Sequence, residues 1–466
     1  MAKFWNNEAI DWKIEFTFDG EANVLRKPSI QLTAVPGRAV MQADLGQRGN
    51  ICALSVKRGV AAALNELKRI GAESVLVDAF GLTELMGADA IDPLVIGARL
   101  AAHKPISFKQ GKEKEQDEDD NGLCVYIACN GTDQELDAIA RYNVVADGLC
   151  IAQDMVNTPP NKLTPDIMAR QIAEHCAKHA IPCDVFDEKF MTQHRMGAFL
   201  AVGMSSGNMP RMIVLRHMGD PANPGDITAI IGKALTFDTG GYNLKPGSGM
   251  KEMKCDMAGG ASAFAAVMAL ARNNAKANVV AVIPAAENRV SRESFLPSDV
   301  LHTMSGRTVE VISTDAEGRL CMSDCMTYAI RHEKATRLID IATLTGSAVA
   351  ALGKKTAATM SNDDAFYGRF LNAAKLAAEQ YWRMPNHDEY YLMIEGQIAD
   401  IKNAPEDGCG IMAAGLFMEF FAEGLPWIHM DIAGTAFSAK PGYEFHKPGA
   451  TGAGMQTLYE MFAGRI

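Results

Sequence analysis

The chain has 466 residues, 48% hydrophobic and 22% charged, a balance that indicates a globular protein of two or three domains and excludes a disordered chain. A formal net charge of -11 argues against a protein whose main task is to neutralise nucleic-acid phosphates. The ten cysteines are scattered without CxxC pairs, as in reduced intracellular proteins, and no apolar run predicts a secretory signal or a membrane span.

The first 150 residues are predicted to form an α/β domain. Apolar spacing over 54–72, closed by Gly71, predicts a helix, and the runs SVLVDAF (74–80) and LCVYIAC (123–129) predict buried strands. Between these strands, GKEKEQDEDDNG (111–122) has no apolar face and predicts a solvated loop.

The stretch DMVNTPPNKLTPD (154–166) predicts a domain boundary. Two adjacent prolines precede Thr164 and Pro165, which suit the cap and the first turn of a new helix. We therefore predict an N-terminal α/β domain over 1–152 and a C-terminal domain over 153–466.

Short apolar runs alternate with helical patterns in the second domain. The runs predict strands over 227–237, 277–288, 338–346 and 427–436, and 259–274 predicts a helix. This alternation is typical of an α/β fold with a mixed, largely parallel central sheet buried on both faces. Because ligands bind beyond the carboxyl ends of strands in such sheets, polar residues at those ends are candidates for function.

Charged residues gather after the first of these strands. Lys233, Asp238, Lys245 and Asp256 lie within 24 residues of one another, and glycine pairs beside them permit close approach of the backbone. Each residue taken singly is expected at a surface. Their grouping in a segment that otherwise has the composition of a core indicates a site.

The segment STDAEGRL (313–320) follows the strand-like RTVEVI and places Asp315, Glu317 and Arg319 at alternate positions. Alternate side chains of an extended stretch share one face, which predicts two carboxylates and a guanidinium on the same side. Two adjacent acids repel unless a positive group lies between them. A surface ion pair with Arg319 and a bound cation both meet that requirement.

Convergence of Asp238, Asp256, Asp315 and Glu317 would create a two-metal site, because two divalent cations would balance the charge of these carboxylates. A site rich in oxygen and without Cys or His suits Mg, Mn or a hydrolytic pair of Zn ions. A lysine among the ligands would have to be neutral, and charge alone does not identify that lysine.

The sequence lacks the GxSxG, GxxxxGKS/T and strand-following GxGxxG motifs of serine hydrolases, P-loop enzymes and Rossmann dinucleotide-binding enzymes.

Four motifs together resemble the cytosol (leucyl) aminopeptidase family of dinuclear metallopeptidases, namely GKALTFDTGGYNLKP, MKCDMAGGAS, STDAEGRL and ATLTG. The resemblance extends through most of 155–466, including NTPPNKLTP, PWIHMDIAGTA and KPGATGAG. DTGGYN, which contains Tyr242, and GATGAGMQTL are more similar to the bacterial peptidase B branch than to the commonest members. For the first 150 residues, the resemblance implies only a two-domain plan.

The resemblance implies a role for each residue of the candidate site. The implied metal ligands are Lys233, Asp238, Asp256, Asp315 and Glu317, with Asp238 and Glu317 shared between two ions. The implied catalytic residues are Lys245, which would stabilise the oxyanion, and Arg319, which would hold a bicarbonate that relays the proton. The implied pocket for the first side chain of the substrate contains Met253, Thr343 and Gly346, although core packing would equally explain Met253.

The implied function is that of an aminopeptidase, which releases the N-terminal amino acid from peptides by attack of metal-activated water. The implied cofactors are two divalent ions per subunit, Zn or Mn with Mg or Co as alternatives, together with bicarbonate. Family members also imply a homohexamer, two trimers stacked, in the cytoplasm. The alternative function is that of a DNA-bound architectural or regulatory protein, as in some relatives, which the net charge disfavours.

The chain departs from the common family pattern at a few positions outside the implied ligands. GKALTFDT and STD stand where common members read GKGITFDS and NTD, and 286–300 also differs. Ser313, in place of Asn, is expected to loosen the turn that presents Asp315.

Overall fold

The computed structural model describes residues 2–4, 10, 12–18, 28–35, 38–110, 123–406 and 408–464. The charged run 111–122, predicted as a solvated loop, lies outside the described residues. The chain forms two compact units, one of 1–150 with 439–448 and the other of 151–438 with 449–466. Their division falls within one helix, Asp133–Asn157.

The first unit contains a mixed sheet with helices. Its strands are β1 (Ala2–Phe4), β2 (Trp12–Thr17), β3 (Ser29–Val35), β4 (Arg38–Asp44), β5 (Ser74–Asp78) and β6 (Cys124–Ala128). Its helices are α1 (Ala53–Arg69), α2 (Phe80–Met86) and α3 (Ile91–Ala102), with short 3-10 turns at Arg48–Asn50 and Gly87–Ala90. The strand order is β1-β6-β5-β2-β4-β3, and only the pairing of β3 with β4 is antiparallel among those described.

Helix α1 and strands β5 and β6 confirm the predictions made from the apolar patterns of the first 150 residues. Val56, Val60, Leu64 and Leu67 recur at helical spacing on α1 and are all buried. Residues 54–61 are all buried as well, so packing around much of its surface stabilises this helix.

The second unit has a larger sheet and more helices. Its helices are α4 (Asp133–Asn157, shared with the first unit), α5 (Pro165–Lys178), α6 (Glu188–Gln193), α7 (Gly197–Gly203), α8 (Gly247–Met250), α9 (Ala258–Arg272), α10 (Gly318–Arg331), α11 (Gly346–Leu352), α12 (Asp364–Ala377), α13 (Gly410–Phe420) and α14 (Met455–Phe462). Its main strands are β7 (Cys183–Phe186), β8 (Arg211–Met218), β9 (Ile227–Gly232), β10 (Ala234–Asp238), β11 (Asn278–Asn288), β14 (Arg337–Ala342), β15 (Thr356–Ser361), β16 (Gln380–Arg383) and β18 (Trp427–Asp431). Smaller sheets contain β12 (Val300–His302), β13 (Thr308–Glu310), β17 (Ile401–Lys402), β19 (Phe437–Ser438) and β20 (Gly449–Ala450), and 3-10 turns lie at Met253–Cys255 and Asp388–Met393.

The main sheet has the order β16-β15-β18-β14-β9-β11-β8-β7, and β10 also pairs with β11. The central pairs β18/β14, β14/β9 and β9/β11 are parallel, whereas β15/β18, β11/β8 and β8/β7 are antiparallel. Strands β9, β11 and β18 are buried along their whole length. The predicted α/β fold with a mixed, largely parallel sheet is therefore confirmed.

Strand β9 shows why the sheet is buried on both faces. Ala229 and Ile231 belong to the apolar cluster that contains Leu320 of α10. On the other face, a Cβ on Gly232 would lie 2.9 Å from the Cβ of Ala263 in α9, so α9 packs closely there. The alternation of side chains along a strand thus sends successive residues to different helices.

The prediction of a helix cap at Thr164 is also confirmed. The Thr164 hydroxyl accepts a hydrogen bond from the Ile167 amide at 3.4 Å, and Pro165 occupies the first turn of α5. Across the described ranges, no helix is long and apolar enough to cross a membrane.

Candidate active site

Lys233 interrupts a strand at the centre of the sheet. Strand β9 pairs with 278–282 of β11 and β10 with 285–288, so Lys233 lies between two segments that follow the same neighbour. Its amide donates to the Ile341 carbonyl at 3.0 Å, and its own carbonyl accepts from the Gly260 amide at 2.7 Å. A Cβ on Gly259 would lie 2.1 Å from the Ile341 carbonyl oxygen, so this glycine permits α9 to begin beside Lys233.

The Lys233 ammonium group lies between two buried carboxylates. Its Nζ is 2.9 Å from Asp256 Oδ1 and 2.9 Å from Glu317 Oε1, and it donates to the Thr343 carbonyl at 3.1 Å. Burial favours the neutral amine, but Asp256, Glu317 and Asp238 outweigh it and raise the pKa of Lys233 well above its usual range. Lys233 is therefore held as a cation by these carboxylates.

A second lysine joins the remaining carboxylates. Asp238, Asp315 and Glu317 each place a carboxylate oxygen so that all three lie within 4.8 Å of one another. The Lys245 Nζ is 2.8 Å from Asp238 Oδ2 and 2.6 Å from Asp315 Oδ1. Burial, and then the charge of Glu317, raise the pKa of Asp238 to about 6. The four acids predicted to converge are thus linked through two lysines.

The prediction that STDAEGRL is extended, with side chains sharing a face by alternation, is wrong. Residues 313–316 form a turn, Glu317 has helical backbone angles (φ -82°, ψ -35°), and Arg319 lies in the first turn of α10. Asp315 and Glu317 approach each other because the turn reverses into the helix. The carboxylates are paired by lysines rather than by Arg319, whose Nη1 donates to the Asn403 carbonyl at 2.8 Å.

Arg319 is buried near the cluster without joining it in an ion pair among the described residues. Burial lowers the pKa of its guanidinium to about 10, against the opposing charges of Glu317 and Asp431. Its Nε has no hydrogen-bond acceptor within the part of the chain that the structure describes. A buried donor of this kind suits an anion as partner.

The carboxylate cluster fits divalent cations. Asp256 Oδ2 and Glu317 Oε2 are buried and accept no hydrogen bond from any described residue. Unpartnered buried carboxylate oxygens are costly unless a cation is bound. The donor set is dominated by oxygen, which suits hard or borderline divalent ions.

The predicted pocket residues lie along two segments beside the carboxylates. Thr343 Oγ1 donates to Asp256 Oδ1 at 2.8 Å, and Gly346 opens helix α11 three residues later, at the surface. Met253 lies in the 3-10 turn that leads into Asp256. The structure thus brings Thr343 into contact with the cluster and places Gly346 and Met253 on chain segments adjoining it.

Several supporting residues were missed from sequence. Asn288 Nδ2 donates to Asp238 Oδ1 at 2.8 Å and to the Thr314 carbonyl at 2.9 Å, which fixes the orientation of the Asp238 carboxylate. Asp431 Oδ2 accepts from Thr345 Oγ1 at 2.6 Å and so holds the loop after β14. Asn288 and Asp431 are the last residues of β11 and β18, so the rule that sites lie at carboxyl ends of strands is a signal that marks both.

Paired carboxylates and lysines at the carboxyl end of a largely parallel sheet are the arrangement expected of a metal-dependent hydrolase. The model of the cytosol aminopeptidase family, catalytic domain, matches residues 150–459. The chain belongs to this family and is an aminopeptidase, a hydrolase that acts on peptide bonds.

Relatives and solved structures agree with this assignment. A probable cytosol aminopeptidase of Clostridium perfringens is 39% identical over 423 residues, which cover 90% of this chain and 84% of that protein. The bottromycin maturation enzyme BotP in complex with Mn has a TM-score of 0.86 at 28% identity, covering 98% of this chain and 99% of that one. Leucine aminopeptidase LAP1 of Caenorhabditis elegans has a TM-score of 0.78 at 26% identity, covering 91% and 84% respectively.

Proposed function

We propose that the aminopeptidase uses two divalent ions per subunit, Zn or Mn with Mg or Co as alternatives. The proposed ligands are the residues that the structure brings together, namely Lys233, Asp238, Asp256, Asp315 and Glu317. When bound, such ions would supply a water nucleophile at neutral pH and polarise the scissile carbonyl. The complex of BotP with Mn supports Mn as one of the metals.

Lys245 is proposed as the residue that binds the substrate carbonyl and stabilises the developing oxyanion. Its side chain is 19% exposed, whereas that of Lys233 is 4% exposed, so a substrate can approach it more readily. Burial opposes its charge, but Asp238 and the neighbouring acids raise the pKa of Lys245, so it is a cation at neutral pH. A fixed cation at this position lowers the energy of a transition state that carries negative charge.

Arg319 is proposed to hold a bicarbonate that relays protons. Glu317 beside it is committed to Lys233 and to the proposed ions, and Asp431 accepts hydrogen bonds from Thr345 Oγ1 and two backbone amides, so a separate base is proposed. The unpartnered Arg319 Nε gives this anion a donor.

Substrates are peptides, and Met253, Thr343 and Gly346 are proposed to line the pocket for the first side chain. The family resemblance supports a homohexamer located in the cytoplasm.

The close approach of the Asp238, Asp315 and Glu317 oxygens, within 4.8 Å, carries the two-metal proposal. We expect protein loaded with Mn or Zn to hydrolyse aminoacyl p-nitroanilides with a free α-amine and to leave N-acetylated versions intact. Chelation should remove activity, and readdition of metal should restore it, because the nucleophile depends on the ions. Retention of full activity in exhaustively chelated protein, with metal content checked by elemental analysis, would contradict the proposal.

Metal binding is expected to strengthen as pH rises. A lysine can bind a metal only after losing its proton, and the surrounding acids raise the pKa of Lys233 well above its usual range. The pKa of Asp238 is raised as well, so below about pH 6 this carboxylate also carries a proton. Protons therefore compete with metal, and the apparent Kd for Mn²⁺ should fall by about tenfold per pH unit for each proton released.

Calorimetric titration with Mn²⁺ at pH 6.0, 7.0 and 8.0, in buffers of different ionisation enthalpy, measures both the affinity and the number of protons released. A Kd that does not change with pH, with no buffer-dependent heat, would exclude Lys233 as a ligand.

A further inference from the structure

Asn403 is a buried residue that follows the short strand β17 and contacts the turn between β13 and α10. Its amide oxygen accepts hydrogen bonds from the Ile312 amide at 2.8 Å and the Ser313 amide at 3.2 Å. Its amide nitrogen donates to the Ser313 carbonyl at 2.6 Å and the Ala316 carbonyl at 3.2 Å. The hydrogen-bonding capacity of this side chain is therefore fully used by the backbone of one turn.

The backbone pairing of β17 explains how Asn403 reaches that turn. Ile401 and Lys402 pair in parallel with Val309 and Glu310, and the Asn403 amide donates to the Glu310 carbonyl at 3.0 Å. Strand pairing ends there, because the chain that follows β13 turns away towards α10. The Asn403 side chain thus continues the hydrogen bonding at the point where the backbone ladder stops.

The turn held by Asn403 carries the reactive groups. Asp315 lies inside it, Glu317 directly follows it, and the Asn403 carbonyl accepts from Arg319 Nη1 at 2.8 Å. Ser313 makes only a local contribution, since its hydroxyl accepts from the Asp315 amide at 3.2 Å. Side chains from outside the turn therefore make more hydrogen bonds to it than Ser313 does, and Asn403 supplies four of them.

We propose that Asn403 is a positioning residue, which fixes the 313–316 turn so that Asp315 and Glu317 face the same site and Arg319 lies beside them. The proposal rests on the proposed function in assigning these residues to metal and anion. Only an amide supplies both acceptor and donors in this arrangement. Aspartate at 403 would keep the acceptors but would face the Ser313 and Ala316 carbonyls with a charge and no donor.

The test compares Asn403→Ala and Asn403→Asp with wild-type protein by two measurements. The first is amide hydrogen exchange of the 312–317 segment in protein without added metal, which does not depend on activity. We expect exchange to be faster by at least about tenfold, because the amides of Ile312 and Ser313 lose their acceptor or its geometry. The second is kcat and KM with Mn²⁺ at saturation, where kcat/KM should fall about 10- to 100-fold, mainly through kcat.

Asn278→Ala is a matched control. Asn278 is also buried, accepts from the Asp220 amide at 2.9 Å, and donates to the Asp220 and Asn223 carbonyls at 3.1 and 2.8 Å. It lies at the start of β11, roughly 33 Å from the end that carries Asn288 by the rise of an extended strand. This variant should lose comparable thermal stability while keeping the exchange of 312–317 unchanged and kcat within about twofold.

The proposal would be overturned if amide hydrogen exchange over 312–317 were unchanged in both Asn403 variants. It would also be overturned if the Asn403 variants were as active as the Asn278→Ala control. Failure of both variants to fold would also overturn it, because Asn403 would then serve general stability. Absence of peptidase activity in wild-type protein would refute the proposed function instead, and the exchange measurement would still decide whether Asn403 fixes the turn.

Discussion

Glu317→Gln is expected to lower kcat/KM at least about 1,000-fold in protein supplied with saturating Mn²⁺. The substitution keeps the size of the side chain and removes a charge from a group that is 1% exposed. Glu317 is 2.9 Å from Lys233 and places a carboxylate oxygen within 4.8 Å of those of Asp238 and Asp315, and the family resemblance implies that it would be shared between two ions. Loss of several kcal/mol of charge stabilisation in the transition state corresponds to this decrease in rate.

The same substitution should leave the chelated protein folded. Four carboxylates face two lysines in the cluster, and burial together with neighbouring acids raises the pKa values of Asp238, Asp256 and Asp315. Burial would also raise the pKa of Glu317, but Lys233 and Lys245 outweigh burial and lower it, so the Glu317 carboxylate itself stabilises the folded state above its unfolded pKa. Removal of its charge loses that stabilisation and at the same time relieves repulsion among the other three acids. Because these two effects partly offset each other, we expect a small decrease in Tm in chelator, and a smaller rise in Tm on addition of metal.

Glu419→Gln provides the matched control, since Glu419 is a partly buried glutamate on α13 that accepts from Asn386 Nδ2 at 2.9 Å. Its kcat/KM and its metal-dependent rise in Tm should stay close to those of wild type. Activity of Glu317→Gln within tenfold of wild type, measured at verified metal occupancy, would exclude Glu317 as a shared ligand.

The sequence was a good guide wherever one local pattern determines the structure. The run at 277–288 is apolar almost to its end, and it forms the buried strand β11, Asn278–Asn288. Strands β9 and β14 are also apolar runs followed by polar residues, and the parallel pairing of β11 with β9 and of β9 with β14 brings those ends to one edge of the sheet. Convergence of the charged residues near Lys233 and Asp238 could therefore be predicted without any knowledge of side-chain contacts.

The sequence was a poor guide wherever a tight turn or a distant segment decides the outcome. Alternate positions in STDAEGRL fit a strand, but they also fit a turn that runs into a helix, and the structure has the latter. Proximity in sequence favours Arg319 as the partner of the acids, whereas Lys233 and Lys245 pair with them from other segments. Asn403 follows no motif that marks it, since its role arises from pairing of β17 with β13.

Lys245→Met is expected to lower kcat about 100- to 1,000-fold with a smaller change in KM, as for removal of a group that stabilises an oxyanion. Methionine preserves the length of the side chain but carries no charge. The ammonium group of Lys245 is 2.8 Å from Asp238 Oδ2 and 2.6 Å from Asp315 Oδ1, so its removal also leaves more negative charge for the proposed ions. The affinity for Mn²⁺ should accordingly be retained or increased.

Lys233→Met should have the opposite effect and weaken Mn²⁺ binding, because it would remove a proposed ligand. Lys375 lies on the exposed surface of α12, so the control variant Lys375→Met should change neither activity nor affinity. Calorimetric titration with Mn²⁺ and steady-state kinetics on the three variants separate the two roles. Weakened Mn²⁺ binding in Lys245→Met, with kcat restored by excess metal, would make Lys245 a ligand rather than a catalytic residue. If kcat instead remains low when the metal site is fully occupied, Lys245 must act on the substrate. The substitution removes only the ammonium group of Lys245, and the bound ions would not replace its charge.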